Sequence, residues 1–408
     1  MDNVLVLGAG VYQVPLIRAV QRLGYRAIAA SIPGDYPGFG IADEAAHVNT
    51  VDRQGILDLA RERKVAAVLT AGTDVAIPTL GYVNDMLSLN GPTEATAHLS
   101  SDKVAMKRAF AFGGVNTARF TVKSVECGLE ECLRSVRDEI GLPAIFKAID
   151  SSGSRGITKV HCEQDVQRAY ENVVAATRSD RFLIEECLMG DEFGMQLFVQ
   201  RGKLSLFLPH GDYLHEGTGT AVPFGHYAPY GTPAAVGQMR EQAQRLVAAL
   251  GIWSGAVNVD AMYSNGHVMI IEAGARAGAT GLPELVSLRY GFDYYEAIVA
   301  SALGDTVDVP EERADVCPVA MLMGSDRPGT VARLEVPEQL PPSVVERTVD
   351  FAVGARIPAF NIGPDRLGLV VAGASTVADA ELAAYRAIDD VACYLEDGVQ
   401  VRWLRGRK

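Results

Sequence analysis

Two carboxylates inside an apolar stretch are the first residues of this chain that ask for a chemical explanation. In Val257–Glu272 (VNVDAMYSNGHVMIIE), Asp260 and Glu272 stand within hydrophobic runs that flank the turn pair Asn265-Gly266. Burying ionised carboxyls is costly unless a cation offsets them, and a hard divalent ion, Mg²⁺ or Mn²⁺, prefers such oxygen ligands. The spacing sets a geometric condition. A plain two-residue turn at 265–266 pairs Asp260 with Ile271 and sends the carboxylates to opposite faces. A three-residue loop, or a bulge of equal effect, pairs Asp260 with Glu272 on one face. The second arrangement is expected.

Three more patterns suit a nucleotide triphosphate. Lys147 lies mid-strand in Leu142–Ile149 (LPAIFKAI), at the parity of Ile145 and Ile149, where a charge needs an anion to face. Asp150 and the stretch Ser151-Ser152-Gly153-Ser154-Arg155-Gly156 follow directly, a flexible loop whose N–H groups can close over phosphates. No G-x-x-x-x-G-K-[ST] loop is present, and an edge-strand lysine beside an ordinary turn fits the same residues. In Phe182–Glu192 (FLIEECLMGDE) a strand ends in Glu185-Glu186-Cys187-Leu188, and Glu192 opens the next one. A backbone hinge and a carboxylate suit an adenine edge and ribose hydroxyls, although a solvated acidic turn reads the same way. Arg276, four residues past Glu272 in EAGARAGATG, can pair bidentately with a phosphate or carboxylate.

Candidate substrate groups are more scattered. His210–Pro229 (HGDYLHEGTGTAVPFGHYAP) holds His210, Asp212, His215 and His226, which could orient a substrate or deprotonate an amine. Loop histidines without a role, or a zinc site, would use the same residues. Arg289 is a further candidate for a substrate carboxylate. Thr70–Asp74 (TAGTD) ends a strand, as a substrate-receiving turn or a simple one. Gly8-Ala9-Gly10 invites a dinucleotide reading, but Gln13 stands where the third glycine belongs and Pro15 falls early in the helix. A tight strand-to-helix turn, rather than an NAD or FAD site, is expected there.

These groups must be positioned by several packed units. Residues 1–95 alternate strands (Asn3–Leu7, Ala27–Ala30, Val65–Thr70) with helices (Val14–Leu23, Gln54–Arg63), which predicts a parallel, doubly wound sheet. Ser100–Gly114 reads as a helix with Ser101 as N-cap. From Pro143 to about 275 the pattern becomes strands, hairpin turns and two helices, Gln164–Thr177 and Ala235–Leu250. From 306 to 408, strands near Pro318–Met323 and Gly368–Ala372 precede a helix over Val377–Leu395. Boundaries are expected near 95 and 305, giving an α/β and α+β fold.

Composition narrows the classes. With 408 residues, 48% hydrophobic, the chain can build two to four domains. A net charge of -13 without basic clusters argues against nucleic-acid partners and membrane surfaces. The start MDNVLVLGAG lacks a charged leader, and no apolar run reaches the ~18 residues of a membrane span. The six cysteines form no CxxC pair, so reduced thiols in a cytoplasmic protein are expected.

Taken in order, these motifs make the whole chain resemble the ATP-grasp superfamily: a Rossmann-like start, Ser101-Asp102-Lys103 opening a helix, a strand lysine with a glycine loop, the hinge E-E-x-x-x-G-x-E, and two acidic residues before an arginine. The resemblance implies a preATP-grasp domain over 1–95, a two-lobed ATP-grasp domain over 96–305 with a mobile lid over 115–187, and a small C-terminal α+β domain over 306–408. It implies ATP as cofactor, held by Lys103, Lys147 and the loop Ser151, Ser152, Gly153, Ser154 and Gly156. Glu185, with the backbone of Glu186, Cys187 and Leu188, matches the adenine hinge, and Glu192 the ribose carboxylate. Asp260 and Glu272 match the metal ligands. Arg276 matches the residue that stabilises the transferring phosphoryl, with Lys147 bridging the phosphates. Gly274 stands where the family usually has an Asn ligand, and the E-x-G-A-R variant resembles that of amino-acid and carboxylate–amine ligases.

The implied activity is a ligase that activates a carboxylate as an acyl phosphate and joins it to an amine, both small molecules. A purine-biosynthesis or biotin-carboxylase-like enzyme and a non-catalytic nucleotide sensor are the alternatives. The oligomeric state is open, a homodimer being one form considered.

Overall fold

A computed structural model describes residues 2–149, 156–216 and 221–408, apart from the side chain of residue 221. The chain begins with β1 (Asn3–Leu7), α1 (Val14–Arg22), β2 (Arg26–Ala30), β3 (Glu44–Ala46), α2 (Arg53–Arg63) and β4 (Val65–Leu69), followed by α3 (Ile77–Leu87) and α4 (Glu94–Leu99). The strands form the expected parallel sheet, in the order β3-β2-β1-β4. Both faces are covered: Val4 and Val6 join one apolar cluster, Leu5 and Leu7 another.

A second unit contains α5 (Lys103–Phe112), β5 (Phe120–Ser124), α6 (Leu129–Arg134), β6 (Ala144–Ala148), β7 (Ile157–Val160), α7 (Asp165–Ala176) and β8 (Arg181–Glu186). Its antiparallel sheet runs β5-β8-β6-β7. The cap of α5 is Asp102 rather than Ser101. The Asp102 carboxylate accepts the Ala105 N–H at 2.8 Å, while the Ser101 hydroxyl turns back to the Ala97 carbonyl.

The remaining elements are β9 (Asp191–Gln200), β10 (Lys203–Glu216), β11 (Ala221–Tyr227), α8 (Pro233–Ala249), β12 (Gly255–Ser264), β13 (His267–Gly274), α9 (Leu282–Tyr290), α10 (Tyr294–Leu303), β14 (Cys317–Met323), β15 (Gly329–Glu335), β16 (Val344–Val349), β17 (Arg356–Ile357), β18 (Gly368–Ala374), α11 (Val377–Asp389) and β19 (Ala392–Leu395). Eight strands make one sheet, β13-β12-β9-β10-β11-β14-β18-β16, and β17-β15-β19 make a smaller one. The helix expected over Val377–Leu395 therefore stops at Asp389. Its last residues pair with β15 as a strand, burying Cys393 and Leu395.

The large sheet has two different faces. Phe193, Met195 and Leu197 of β9 and Val257, Val259 and Ala261 of β12 pack under α8 and α5, with Met239, Leu246, Met106 and Phe110. Period-two alternation sends Glu192, Gly194 and Gln196, with Asn258 and Asp260, to the opposite face. All six cysteines are free thiols. Among the described residues no helix is long and apolar enough to cross a membrane.

Candidate active site

The acid pair is built by a bulge. Ser264 pairs with His267, so the turn has only the two residues 265 and 266. Beyond Ala261–Ile270 the register shifts, Ile271 is left over, and Asp260 stands directly opposite Glu272. Asp260 also faces Gly194 on β9, which in turn faces His210 on β10. Glu272, Asp260, Gly194 and His210 thus share one row and one face. The Asn258 amide donates to Asp260 Oδ1 at 3.1 Å. Burial and the neighbouring Glu272 charge push the Asp260 carboxyl well above the ordinary carboxylate range. Two facing carboxylates of this kind form an oxygen donor set that fits a divalent cation.

Cations surround this row. Lys103, the first residue of α5, places Nζ 3.6 Å from Glu272 Oε2. Arg276 follows β13 and is held bidentately by Asp74: Nε to Oδ1 and Nη2 to Oδ2, both 2.8 Å. The two loops are also joined through their backbones, by the Ala71–Ala277 bridge and by Gly72 N–H donating to the Ala277 carbonyl at 3.1 Å. Packing pushes the Asp74 carboxyl up, but the Arg276 guanidinium outweighs it and holds the group below its ordinary range. Asp74, at the end of the TAGTD turn, is thus part of the site. Its partner lies two hundred residues away, so local spacing could not reveal the pair.

Lys147 is buried in β6 at the predicted parity, and its Nζ lies 3.9 Å from Glu185 Oε2. Sequence reading missed a second lysine. Lys107, one helical turn past Lys103, reaches the same Glu185 oxygen at 3.2 Å and donates to Thr117 Oγ1 at 2.7 Å. The i, i+4 spacing was the available signal. Burial, with Lys147 nearby, lowers Lys107. For Glu185 burial acts upward, but Lys147 and Lys107 outweigh it and hold the carboxyl low. The Glu185 side chain therefore binds lysines.

In the hinge, Glu186 N–H donates to the Arg119 carbonyl at 2.9 Å and Cys187 N–H to the Pro143 carbonyl at 3.0 Å. The Leu188 amide makes no such bond among the described residues. Glu192, the second residue of β9, lies on the face of the acid row, opposite Met262. Gly156 is tied to β6, its carbonyl accepting from Ala148 N–H at 2.9 Å. Ser151, Ser152, Gly153 and Ser154 lie outside the described residues.

The histidines converge on one oxygen. Asp212 Oδ1 accepts from His226 Nδ1 at 2.6 Å and from His210 Nδ1 at 3.1 Å. Gln196 fixes this arrangement. Its oxygen accepts the Gly278 N–H, and its amide donates to Asn258 Oδ1 at 2.6 Å, with His210 Nε2 3.4 Å away. His210 Nε2 is therefore the acceptor and Nδ1 carries the proton. Burial lowers His210 and keeps it neutral, while the two imidazoles, against burial, hold Asp212 far below the carboxylate range. Two ligands of a tetrahedral zinc lie roughly 3.3 Å apart, so the 2.6 Å contact is a hydrogen bond and not a zinc-ligand pair. His215 instead packs on Phe224 and Phe360.

Arg289 does not join the site. It is buried, Nε donates to Glu312 Oε1 at 2.7 Å, and Nη1 binds the Val316 carbonyl. The expectation of a substrate carboxylate there is corrected: its partner lies in the chain between α10 and β14.

The chain is similar to known proteins along most of its length. The family described as ATP-grasp domain matches residues 100–280, and L-amino acid ligase C-terminal domain 2 matches residues 321–396. A formate-dependent phosphoribosylglycinamide formyltransferase of Synechococcus sp. (strain WH7803) is 27% identical, covering 97% of this chain and 98% of that protein. The crystal structure of phosphoribosylglycinamide synthetase from Anaerococcus prevotii superposes with a TM-score of 0.84 at 28% identity, over 97% of this chain and 100% of that one. L-amino acid ligase from Bacillus licheniformis superposes with a TM-score of 0.77 at 16% identity, over 97% and 99% of the two chains, a likeness of fold. Residues 100–280 thus form an ATP-grasp domain, and the relatives indicate an ATP-dependent C–N ligase or transferase.

Proposed function

We propose that this protein activates a small carboxylic acid, of the amino-acid type, as an acyl phosphate and joins it to an amine, releasing ADP and phosphate. The observation that carries the reading is the facing pair Asp260 and Glu272, beside Lys103 and next to the loop of Arg276. Family members use ATP with Mg²⁺, and phosphoryl transfer to a carboxylate oxygen makes that carbon electrophilic.

The chain's own groups supply positioning and charge. Asp260 and Glu272 would hold the metal, with Asn258 orienting Asp260. Lys103 and Lys147 would meet phosphate oxygens, and Glu185 and Lys107 fix the height of Lys147. Leu188 N–H would read the adenine edge and Glu192 the ribose. Arg276 would face the carboxylate as negative charge builds on it. His210 and His226, held by Asp212, would line the nucleophile's side of the same face.

The formyltransferase relatives favour a second reading, in which formate is the acid and a phosphoribosyl amine the acceptor. Release of phosphate from ATP across amino acids, other carboxylates, bicarbonate and formate, each with and without amines, separates the two. Turnover that needs an amino acid and an amine supports the ligase. Turnover only with bicarbonate, or only with formate and a phosphoribosyl amine, rejects it. Lys147→Ala should abolish ADP formation.

A further inference from the structure

Gly274 occupies the place where the superfamily resemblance leads one to expect an asparagine, and the fold gives a steric reason. A Cβ at residue 274 would lie 2.8 Å from Asp74 Oδ1. The space a side chain would take is filled by a carboxylate from the turn after β4, and that carboxylate grips Arg276. The substitution therefore makes room for an ion pair that joins the first unit to the catalytic loop.

We propose that Asp74 and Arg276 together read a zwitterion: Arg276 takes the carboxylate to be activated, and Asp74 takes the ammonium of the same molecule. The inference rests on the ligase reading above and names the group that selects its first substrate as an amino acid.

Three observations support it. The Asp74 side chain is 44% exposed whereas Arg276 is 13% exposed, so the acid is the more open member of the pair. A carboxylate offers about four acceptor positions. Arg276 uses two, and among the described residues no other side-chain hydrogen bond to Asp74 is formed. The pair is also neutral as a whole, and the Asp260 and Glu272 charges act on Arg276. A bare anion such as formate would bring a like charge beside Asp74 and no cation for its free acceptor positions. An amino acid presents opposite charges side by side, which complements the pair.

The test compares matched acids on the full-length protein with Mg·ATP: alanine against propionate, and phenylalanine against 3-phenylpropionate, with ADP release as readout. The amino member should be favoured by about tenfold or more in kcat/KM, because the acid without an ammonium leaves the partly exposed Asp74 carboxylate unmatched. Asp74→Asn should shrink that ratio by about tenfold or more, mainly through KM. An equal loss for both members, with the ratio unchanged, means Asp74 only props Arg276 and overturns the proposal. If no acid of either kind releases ADP, the ligase reading fails, and calorimetry with Mg and a non-hydrolysable ATP analogue decides the proposal separately. Binding of alanine but not propionate, lost in Asp74→Asn, upholds the zwitterion site. Binding of both equally, or of neither, overturns it.

Discussion

Glu272 faces Asp260 because Ile271 bulges out of the β12–β13 ladder. Val268 and Ile270 point into the apolar core beneath α8, and in an unbroken strand Glu272 would follow them. The bulge reverses the parity, so Ala273 enters that core and Glu272 turns to the polar face.

Deleting Ile271 should therefore spare the acid pair, whereas removing the carboxylate should not. Without Ile271, Glu272 follows Ile270 directly in an unbroken ladder and still faces Asp260, so Mn²⁺-supported nucleotide binding should stay within about threefold of the wild type. Glu272→Gln should unfold like the wild type yet lose roughly 100-fold or more in that binding. An equal loss of binding in the deletion and the substitution would contradict this account of the register.

The acid pair also predicts a pH dependence of stability without divalent ions. Asp260 has a folded-state pKa above its unfolded value of roughly 3.9. In the interval between them the native state binds more protons than the unfolded chain, so stability falls as pH rises. Asp260→Asn should flatten this decline, and saturating Mg·ATP should reverse it. Urea midpoints at several pH values, with and without Mg·ATP, measure the effect; a midpoint that rises with pH through this window in the bare wild type contradicts it.

The Lys107–Glu185–Lys147 cluster gives a coupled prediction. Lys107→Met leaves Glu185 with one distant partner and should destabilise by about 3 kcal/mol, the usual effect of breaking a buried pair. Lys107→Met with Glu185→Gln should recover part of that loss. A double-mutant cycle reads the coupling, and strict additivity would mean the two residues do not interact.

Arg289→Ala should separate structure from function. Burial with Glu312 and the Val316 carbonyl predicts a loss of about 2–4 kcal/mol in unfolding free energy. KM for every carboxylate should stay within about twofold. A selective rise in KM for one acid would return Arg289 to the site.

Much of this site was legible along the sequence because its chemistry is local. Asp260 and Glu272 lie on one hairpin, Lys147 precedes its loop, and Glu185 to Glu192 form one strand and turn. The register condition on the hairpin was also legible, though the bulge that meets it was not tied to any residue. What stayed hidden depends on distant segments. Asp74 meets Arg276 only when β4 is laid beside the loop after β13. Lys107 acquires its partner only when α5 docks on the β5-β8-β6-β7 sheet. His210 and His226 share a segment, but their convergence on Asp212 follows from the pairing of β10 with β11. Arg289 misled because a buried arginine, read without its partner, resembles a ligand site. The over-long helix at 377–395 failed where apolar residues after Asp389 found β15 as an edge.

The most direct measurement of the central claim follows oxygen. A substrate acid labelled with ¹⁸O in its carboxylate is incubated with the protein, Mg·ATP and an amine, and the released phosphate is analysed by mass spectrometry. Activation as an acyl phosphate predicts one labelled oxygen in phosphate for each amide formed, and none with Lys147→Ala. Amide formation with unlabelled phosphate would contradict the account.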